Sequence, residues 1–241
     1  MKKMIIAFVM LCISGTATKA QDLMVVNDKN AEVRTVGSFH GIKVSHAFDV
    51  IIKQGNEEAV VVSASEEKYR SRIRTEVRDG ILKIWYDNEG LRWNENRKLK
   101  AYISVKNLDM INASGACDVK IDGVLKGDKL KVDLSGASSL KGELVYDEVK
   151  VDQSGASDSF LKGTVRNLVI DASGASDFKG FDLVTENCKA DASGASDIKI
   201  TVNKDLKVQA SGASDVEYKG AATVSSFSTS GASSVRKRSM K

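Results

Sequence analysis

Hydrophobic and polar residues alternate with a period of two along the second half of the chain, and the alternation recurs about every 19 residues. The recurring unit is centred on the triplet Ser-Gly-Ala, which begins at seven positions: Ser114, Ser135, Ser154, Ser173, Ser193, Ser211 and Ser230. Apolar residues stand three before and five after the serine of nearly every triplet, and charged residues occupy most positions between them. This alternation is typical of a β-strand with one buried face, and the aligned units share no helical spacing of apolar residues.

A period of about 20 residues is typical of solenoids, in which each coil covers the apolar face of its neighbour. We therefore predict an all-β fold in which residues 108–235 form a parallel β-solenoid with coils of about 19 residues. Strand spacing would place equivalent residues about 4.8 Å apart. The serine hydroxyls could then hydrogen-bond from one coil to the next.

Each triplet is predicted to form a corner between two strands. A corner needs positive φ or a close approach of two backbones, and glycine meets both needs. The predicted structural turn residues are Gly115, Gly136, Gly155, Gly174, Gly194, Gly212 and Gly231. The alanine that follows each glycine predicts a corner too tight for any side chain larger than a methyl group.

The preceding residues, 36–107, have strand patterns without the repeat and are predicted to form a less regular N-terminal β region that caps the solenoid. Asp79-Gly80 predicts a hairpin turn between residues 73–78 and 81–86. One short helix is predicted over residues 66–77, with Ser65 as its N-cap. Residues 21–35 are polar and weakly patterned, which indicates a flexible tether, and residues 236–241 form a basic tail.

The first twenty residues have the pattern of a signal peptide: a basic start, an apolar run over residues 4–13, and a small-residue cleavage site at Thr18-Lys19-Ala20. We expect Gln21 to begin the mature chain, exported to the periplasm or the cell surface. The apolar run is shorter than the ~20 residues that span a bilayer, so no transmembrane segment is predicted. Without the lysines of this segment, 33 of the 36 basic residues remain against 32 acidic ones, which gives no case for nucleic-acid binding.

No catalytic, cofactor-binding or metal-binding residue is predicted. A serine triad needs a histidine, and the chain has only His40 and His46, both far from the triplets in sequence. A column of aspartates four residues after the corner serines is a poor calcium site, because lysines two residues further on face the same way and Ca²⁺ needs six to eight oxygens. Cys117 and Cys188 are predicted to stay reduced, since four coils would separate them by about 19 Å.

One residue is a candidate ligand contact. Trp93 lies in the polar loop 88–98, where an indole ring could stack on a sugar or fill a pocket of a partner.

Three motifs together carry a family resemblance: Phe-His-Gly-Ile-Lys-Val at residues 39–44, Asp-Gly-Ile-Leu-Lys-Ile at 79–84, and Asn-Leu-Asp-Met-Ile-Asn-Ala-Ser-Gly-Ala at 107–116. With the recurring triplets, they make residues 36–235 resemble the DUF2807 family, the "putative auto-transporter adhesin, head GIN domain". The resemblance implies a right-handed β-helix similar to pectin-lyase-like folds, an origin in Bacteroidota, a role in adhesion at the cell surface, and no catalytic residues.

The function expected from these features is that of an exported, non-catalytic interaction module. Its expected partner is a surface glycan or a host or cell-surface protein, and homo-oligomerisation is an open possibility. Two alternatives remain. One is a carbohydrate-active enzyme, because β-helices host polysaccharide lyases and hydrolases, although fold alone does not determine function. The other is a passive structural protein of the cell envelope.

Overall fold

The computed structural model describes residues 26–89 and 97–239. Within these ranges the chain forms a single sixteen-stranded sheet and one short helix. The elements in chain order are β1 (Glu32–Arg34), β2 (Gly41–His46), β3 (Phe48–Gln54), β4 (Ala59–Ser63), α1 (Glu67–Arg70), β5 (Ile73–Arg78), β6 (Ile81–Tyr86), β7 (Leu99–Val105), β8 (Met110–Gly115), β9 (Asp118–Leu134), β10 (Ser139–Gln153), β11 (Asp158–Ala172), β12 (Asp177–Ala192), β13 (Asp197–Ala210), β14 (Asp215–Lys219), β15 (Thr223–Thr229) and β16 (Ser234–Lys237).

The predicted β-solenoid is confirmed. Strands β9 to β13 each follow one coil, and each pairs in parallel with the strand of the next coil. Equivalent positions of the repeat lie side by side, so inward positions form continuous columns. The column three residues before the corner serines is completely buried in these five strands, and its members are Val132, Val151, Ile170, Ala190 and Val208.

The seven triplet glycines lie at the corners, with φ angles between 73° and 93°. Each corner lies directly against the corner of the preceding coil. A Cβ atom on any of the six triplet glycines after Gly115 would lie 2.4 to 2.7 Å from the carbonyl oxygen of the triplet glycine in the preceding coil. Glycine is therefore required here by both the backbone conformation and the close approach of two coils.

The expectation that the following alanines mark a sterically tight position is wrong. All seven alanine side chains are exposed to solvent. Their backbone N–H groups make the close contact instead: Ala156 N donates to Gly136 O at 2.7 Å, and the bond recurs from coil to coil. The methyl group points outward from the corner, so packing does not limit its size.

The buried residue of the corner is a second serine, three positions after the serine that begins the triplet. Its hydroxyl donates to the carbonyl oxygen of the first serine in the same coil, as Ser196 does to Ser193 O at 2.9 Å. Ser196 Oγ also lies 3.1 Å from Ala172 O in the preceding coil. Coils are therefore joined here by hydroxyl-to-carbonyl bonds, and Cys117 occupies the equivalent position in the first triplet. Both Cys117 and Cys188 are buried free thiols, as predicted.

The order of the coils in space differs from their order in the chain at the N-terminal end. Strand β2 pairs with both β6 and β8, and β3 pairs with both β7 and β9. The coil formed by β2 and β3 therefore lies between the later coil β6–β7 and the coil β8–β9. Its corner is Ser45-His46-Ala47-Phe48, in register with Ser114 and Gly115. His46 has a φ of 83°, so it takes the glycine conformation at a corner that lacks the Ser-Gly-Ala triplet.

Antiparallel strands cover the outermost coil. Strand β4 pairs with β7 and carries β1 on its other edge, and β5 pairs with β6. The hairpin turn predicted at Asp79-Gly80 joins β5 to β6 as expected, and both residues have positive φ. This arrangement covers the end of the stack, which would otherwise expose unpaired strand edges.

Two N-terminal expectations need correction. The helix spans only Glu67–Arg70 with Glu66 as its N-cap, because residues 73–78 alternate with a period of two and pair with β6. The described part of the expected tether, residues 26–35, is tied to the sheet: β1 pairs with β4, and Asn30 Nδ2 donates to Ala64 O at 2.9 Å. The predicted signal peptide, residues 1–20, lies outside the described residues.

At the other terminus, the expected basic tail is partly structured. Arg236 and Lys237 belong to β16, and Arg238 Nη2 lies 2.5 Å from Glu217 Oε1. In the ranges that the structure describes, no helix has the length and apolar character that crossing a membrane requires.

Candidate functional site: a lysine–phenylalanine groove

A groove of about 680 Å³ crosses the outer surface of strands β9 to β13. Its volume lies within the usual range for ligand sites. The groove spans five coils, which corresponds to about 19 Å along the stack. Gly123 borders open space, Gly142 packs directly against Ile121, and the groove lining includes the buried side chains of Ile121 and Leu161. We refer to it as the lysine–phenylalanine groove because of the side chains that border it.

Its border is one column of the repeat, six residues after the corner serines. Parallel pairing places these residues next to one another on successive strands: Lys120, Lys141, Phe160, Lys179 and Lys199. The repeat therefore builds a row of ammonium groups interrupted by one aromatic ring.

Two phenylalanine rings, Phe160 and the partly buried Phe181, line the groove, and each lies beside a lysine ammonium group. Phe160 is 39% exposed, whereas large apolar side chains elsewhere in the solenoid are mostly buried. Lys179 Nζ lies 4.6 Å from the centre of the Phe160 ring, and Lys219 Nζ lies 4.4 Å from that of Phe181. Both distances lie within the range of cation–π attraction, which holds the rings and ammonium groups together.

The groove carries more positive than negative charge. Five lysines line it against three acidic residues, namely Asp122, Glu143 and Asp182. Lys162 is neutralised by Glu143 at 2.9 Å, and Lys179 by Asp177 at 2.9 Å. The hydrogen bond to Asp177 raises the pKa of Lys179, so its ammonium group stays charged at neutral pH.

Lys120 and Lys141 form no ion pair with any carboxylate in the described part of the chain. Their ammonium groups are exposed and available to an external anion. The arrangement of flat apolar rings beside unpaired cations suits a ligand that has both an apolar face and negative charge.

One departure from the repeat marks this groove in the sequence. In the units that begin at Ser114, Ser135, Ser173 and Ser193, the residue six after the serine is lysine and the residue five after it is apolar. The unit that begins at Ser154 reverses this choice, with Ser159 inside and Phe160 outside. An exposed ring where the repeat specifies lysine indicates a role other than folding.

Of the other sequence-derived candidates, the corner glycines, His40 and His46 are not part of the groove. Trp93 lies outside the described residues, and the seven corner glycines lie at the edge between two faces as structural turns. His40 Nδ1 lies 2.9 Å from Asp109 Oδ1, and His46 Nδ1 lies 3.2 Å from Ser45 Oγ. Across residues 26–89 and 97–239, no group of three or more His, Cys, Asp or Glu side chains could hold a metal ion.

Comparison with known proteins extends these observations. A family model described as DUF2807, "putative auto-transporter adhesin, head GIN domain", matches residues 38–222. No curated protein has a significantly similar sequence.

Crystal structures that share the fold include the following three. A putative adhesin from Bacteroides fragilis is 21% identical with a TM-score of 0.81, covering 88% of this chain and 98% of its own. A putative adhesin from Parabacteroides merdae is 18% identical with a TM-score of 0.66, covering 86% and 95%. A putative lipid binding protein from Parabacteroides distasonis is 19% identical with a TM-score of 0.65, covering 88% and 98%. At these identities the likeness concerns the fold alone.

Proposed function

The chain belongs to the DUF2807 family, described as "putative auto-transporter adhesin, head GIN domain", and we propose that it is an exported, non-catalytic adhesion module that binds an acidic glycan in the lysine–phenylalanine groove. The observation that carries the proposal is the exposed Phe160 ring within the lysine column, in register with the unpaired Lys141 on one side and in cation–π contact with Lys179 on the other. Aromatic rings stack on the apolar faces of sugars, and ammonium groups bind carboxylates or sulfates.

The shape of the groove supports a polymeric ligand. Equivalent side chains recur at the strand spacing, about 4.8 Å, which is comparable to the length of one sugar unit. A chain of several acidic sugars could therefore meet successive lysines, and extended solenoid surfaces bind by such repeated weak contacts.

The groove offers little support for glycan cleavage. Glycosidases place two carboxylic acids on either side of the scissile bond, one of them with a raised pKa. Here Glu143 is neutralised by Lys162 at 2.9 Å. A carbohydrate-active enzyme nevertheless remains the alternative that the binding experiment must distinguish.

The test is binding of the mature chain to an array of neutral and acidic glycans, followed by analysis of the bound glycans for shortened products. We expect acidic glycans to be retained without shortening. Phe160→Ala and the double variant Lys120→Gln/Lys141→Gln should each lower affinity at least about fivefold. Val184→Ala and Lys207→Gln remove an exposed apolar side chain and a lysine outside the groove and serve as matched controls.

Retention of neutral and acidic glycans alike, or equal loss in the control variants, would contradict a role for the groove. Shortened products would support the enzymatic alternative. Lack of binding to any glycan or cell-surface protein would support a passive structural role in the envelope. Export is tested separately, by determining whether Gln21 begins the mature chain and whether protease added to intact cells removes the protein.

A further inference from the structure

The solenoid ends in an open strand edge. Strand β15 (Thr223–Thr229) pairs in parallel with β13, and no strand of the described residues pairs with its other edge. At the opposite end of the stack, β4 and β5 pair with the outermost coil and cover it. A free strand edge presents unpaired N–H and C=O groups that can pair with another strand.

The charges that protect other strands are missing from this edge. In the preceding coils, the outward positions four and two before the corner serine are mostly charged: Lys131, Asp133, Lys150, Asp152, Asp171, Lys189, Asp191 and Lys207. In β15 the same two positions are Ser226 and Ser228, in register with Lys207 and Gln209. The uncharged run extends from residue 220 to residue 235, between Lys219 and Arg236. Like charges that face each other across two strands oppose pairing, and β15 has none.

An aromatic side chain at a core position is exposed on the same strand. Phe227 belongs to the inward column whose members in the preceding coils are 0% exposed, yet Phe227 is 58% exposed. It is the most exposed of the large hydrophobic side chains that the structure describes. Phenylalanine is enriched at the centres of protein interfaces, where its burial contributes to association.

We infer that two copies of the chain associate through β15, with the two strands antiparallel about a two-fold axis. Each strand then satisfies the free backbone groups of the other, and both Phe227 side chains become buried. A second copy is the indicated partner because two identical uncharged strands can meet with no like-charge contact. The covered N-terminal coil disfavours head-to-tail stacking, so the pairing closes as a dimer. This inference does not depend on the groove or its ligand.

The test is the dissociation constant of the mature chain, measured by sedimentation over a concentration series. The double variant Ser226→Lys/Ser228→Lys places two positive charges on the edge, and lysine already occupies the Ser226 position in neighbouring coils. We expect it to weaken dimerisation at least about tenfold, because each lysine faces a lysine-bearing strand across the axis. Phe227→Val, which installs the residue found at this position in β9, β10 and β13, should also weaken it.

The matched control is Ala137→Lys/Ala175→Lys, which adds the same charge at exposed corners in the middle of the stack. It should leave the dimer unchanged, and thermal unfolding should show that all variants are folded. A wild-type chain that stays monomeric up to about 0.1 mM would overturn the inference. Unchanged dimerisation in the double-lysine edge variant, or growth into open-ended oligomers, would overturn it as well.

Discussion

Gly155 lies so close to Gly136 in the preceding coil that a Cβ atom on Gly155 would be 2.6 Å from the Gly136 carbonyl oxygen. Gly155 also has a φ of 78°, in the left-handed region that residues with a Cβ atom rarely adopt. We therefore expect Gly155→Ala to lower the free energy of unfolding by about 2–4 kcal/mol, through left-handed strain and overpacking. Urea denaturation measures the effect. Ala156→Ser changes the neighbouring exposed position and should alter stability by less than about 0.5 kcal/mol. Equal effects of the two substitutions would contradict this account of the corner.

Substitution by alanine at two buried serines of one coil is expected to change the free energy of unfolding in opposite directions. Ser159 Oγ is buried without a hydrogen-bond partner among the described residues, between Leu140 and Phe178 of the adjacent strands. Ser159→Ala should raise the free energy of unfolding by about 1 kcal/mol, because an unsatisfied buried hydroxyl is removed. Ser157 Oγ donates to Ser154 O at 3.1 Å, so Ser157→Ala should lower it by about 1 kcal/mol. Denaturation curves with the same sign for both variants would refute the explanation.

The buried thiols should make the stability of the protein decrease at alkaline pH. Burial raises the pKa of Cys188 above its ordinary value of 9.0, so the thiol stays protonated in the folded chain while it ionises in the unfolded chain. A raised folded pKa contributes stability below the unfolded pKa, and that stability is lost as pH rises above it. Between pH 8 and 10 we expect Cys188 to reduce the free energy of unfolding by about 1.4 kcal/mol.

Cys188→Ala should remove that part of the pH dependence. It should also lower the free energy of unfolding at every pH, because a buried side chain becomes smaller. The measurement is denaturation of both proteins in reducing buffer at several pH values. The slope with pH is compared, and not the absolute stability. Cys117 is affected in the same direction by burial, so its variant Cys117→Ser provides a second measurement. A pH profile that is unchanged in both variants would show that the thiols do not cause the loss.

The lysine–phenylalanine groove should show two separable contributions to binding. Raising sodium chloride from about 0.05 M to about 0.5 M should weaken binding of an acidic glycan, because salt screens exposed charges. Lys120→Gln/Lys141→Gln should make affinity less dependent on salt. Phe160→Ala should lower affinity at every salt concentration and leave the salt dependence intact. Titration calorimetry with one glycan measures both, and identical salt slopes in all three proteins would argue against a charge contribution from the column.

The regular part of the fold was predictable because the repeat fixes it locally. Spacing of the triplets sets the coil length, and period-two alternation sets which residues face inward, so columns such as Val132 and Val151 follow from the sequence. The corner at His46 was not predictable in this way, since histidine replaces the glycine that defines the motif. Its identity depends on register with Gly115, which is 69 residues away in the chain.

The candidate site was less accessible to sequence reasoning. The lysine column is recognisable when the repeats are compared, but a row of lysines is equally consistent with an ordinary solvent-exposed face. Phe160 becomes informative only once pairing places it between Lys141 and Lys179. The two departures that locate it, Ser159 inside and Phe160 outside, look like ordinary variation until the direction of each side chain is known.

The insertion of the β2–β3 coil between two later coils has a consequence for how the protein is made. This coil is synthesised first, but its neighbours on both sides are completed only when residues up to Asp122 have emerged. Shortening the chain from its C-terminal end would remove coils one at a time and leave this early assembly whole. Removing residues 26–54 would instead take a layer out of the interior of the stack, so tolerance to truncation should differ sharply between the two ends.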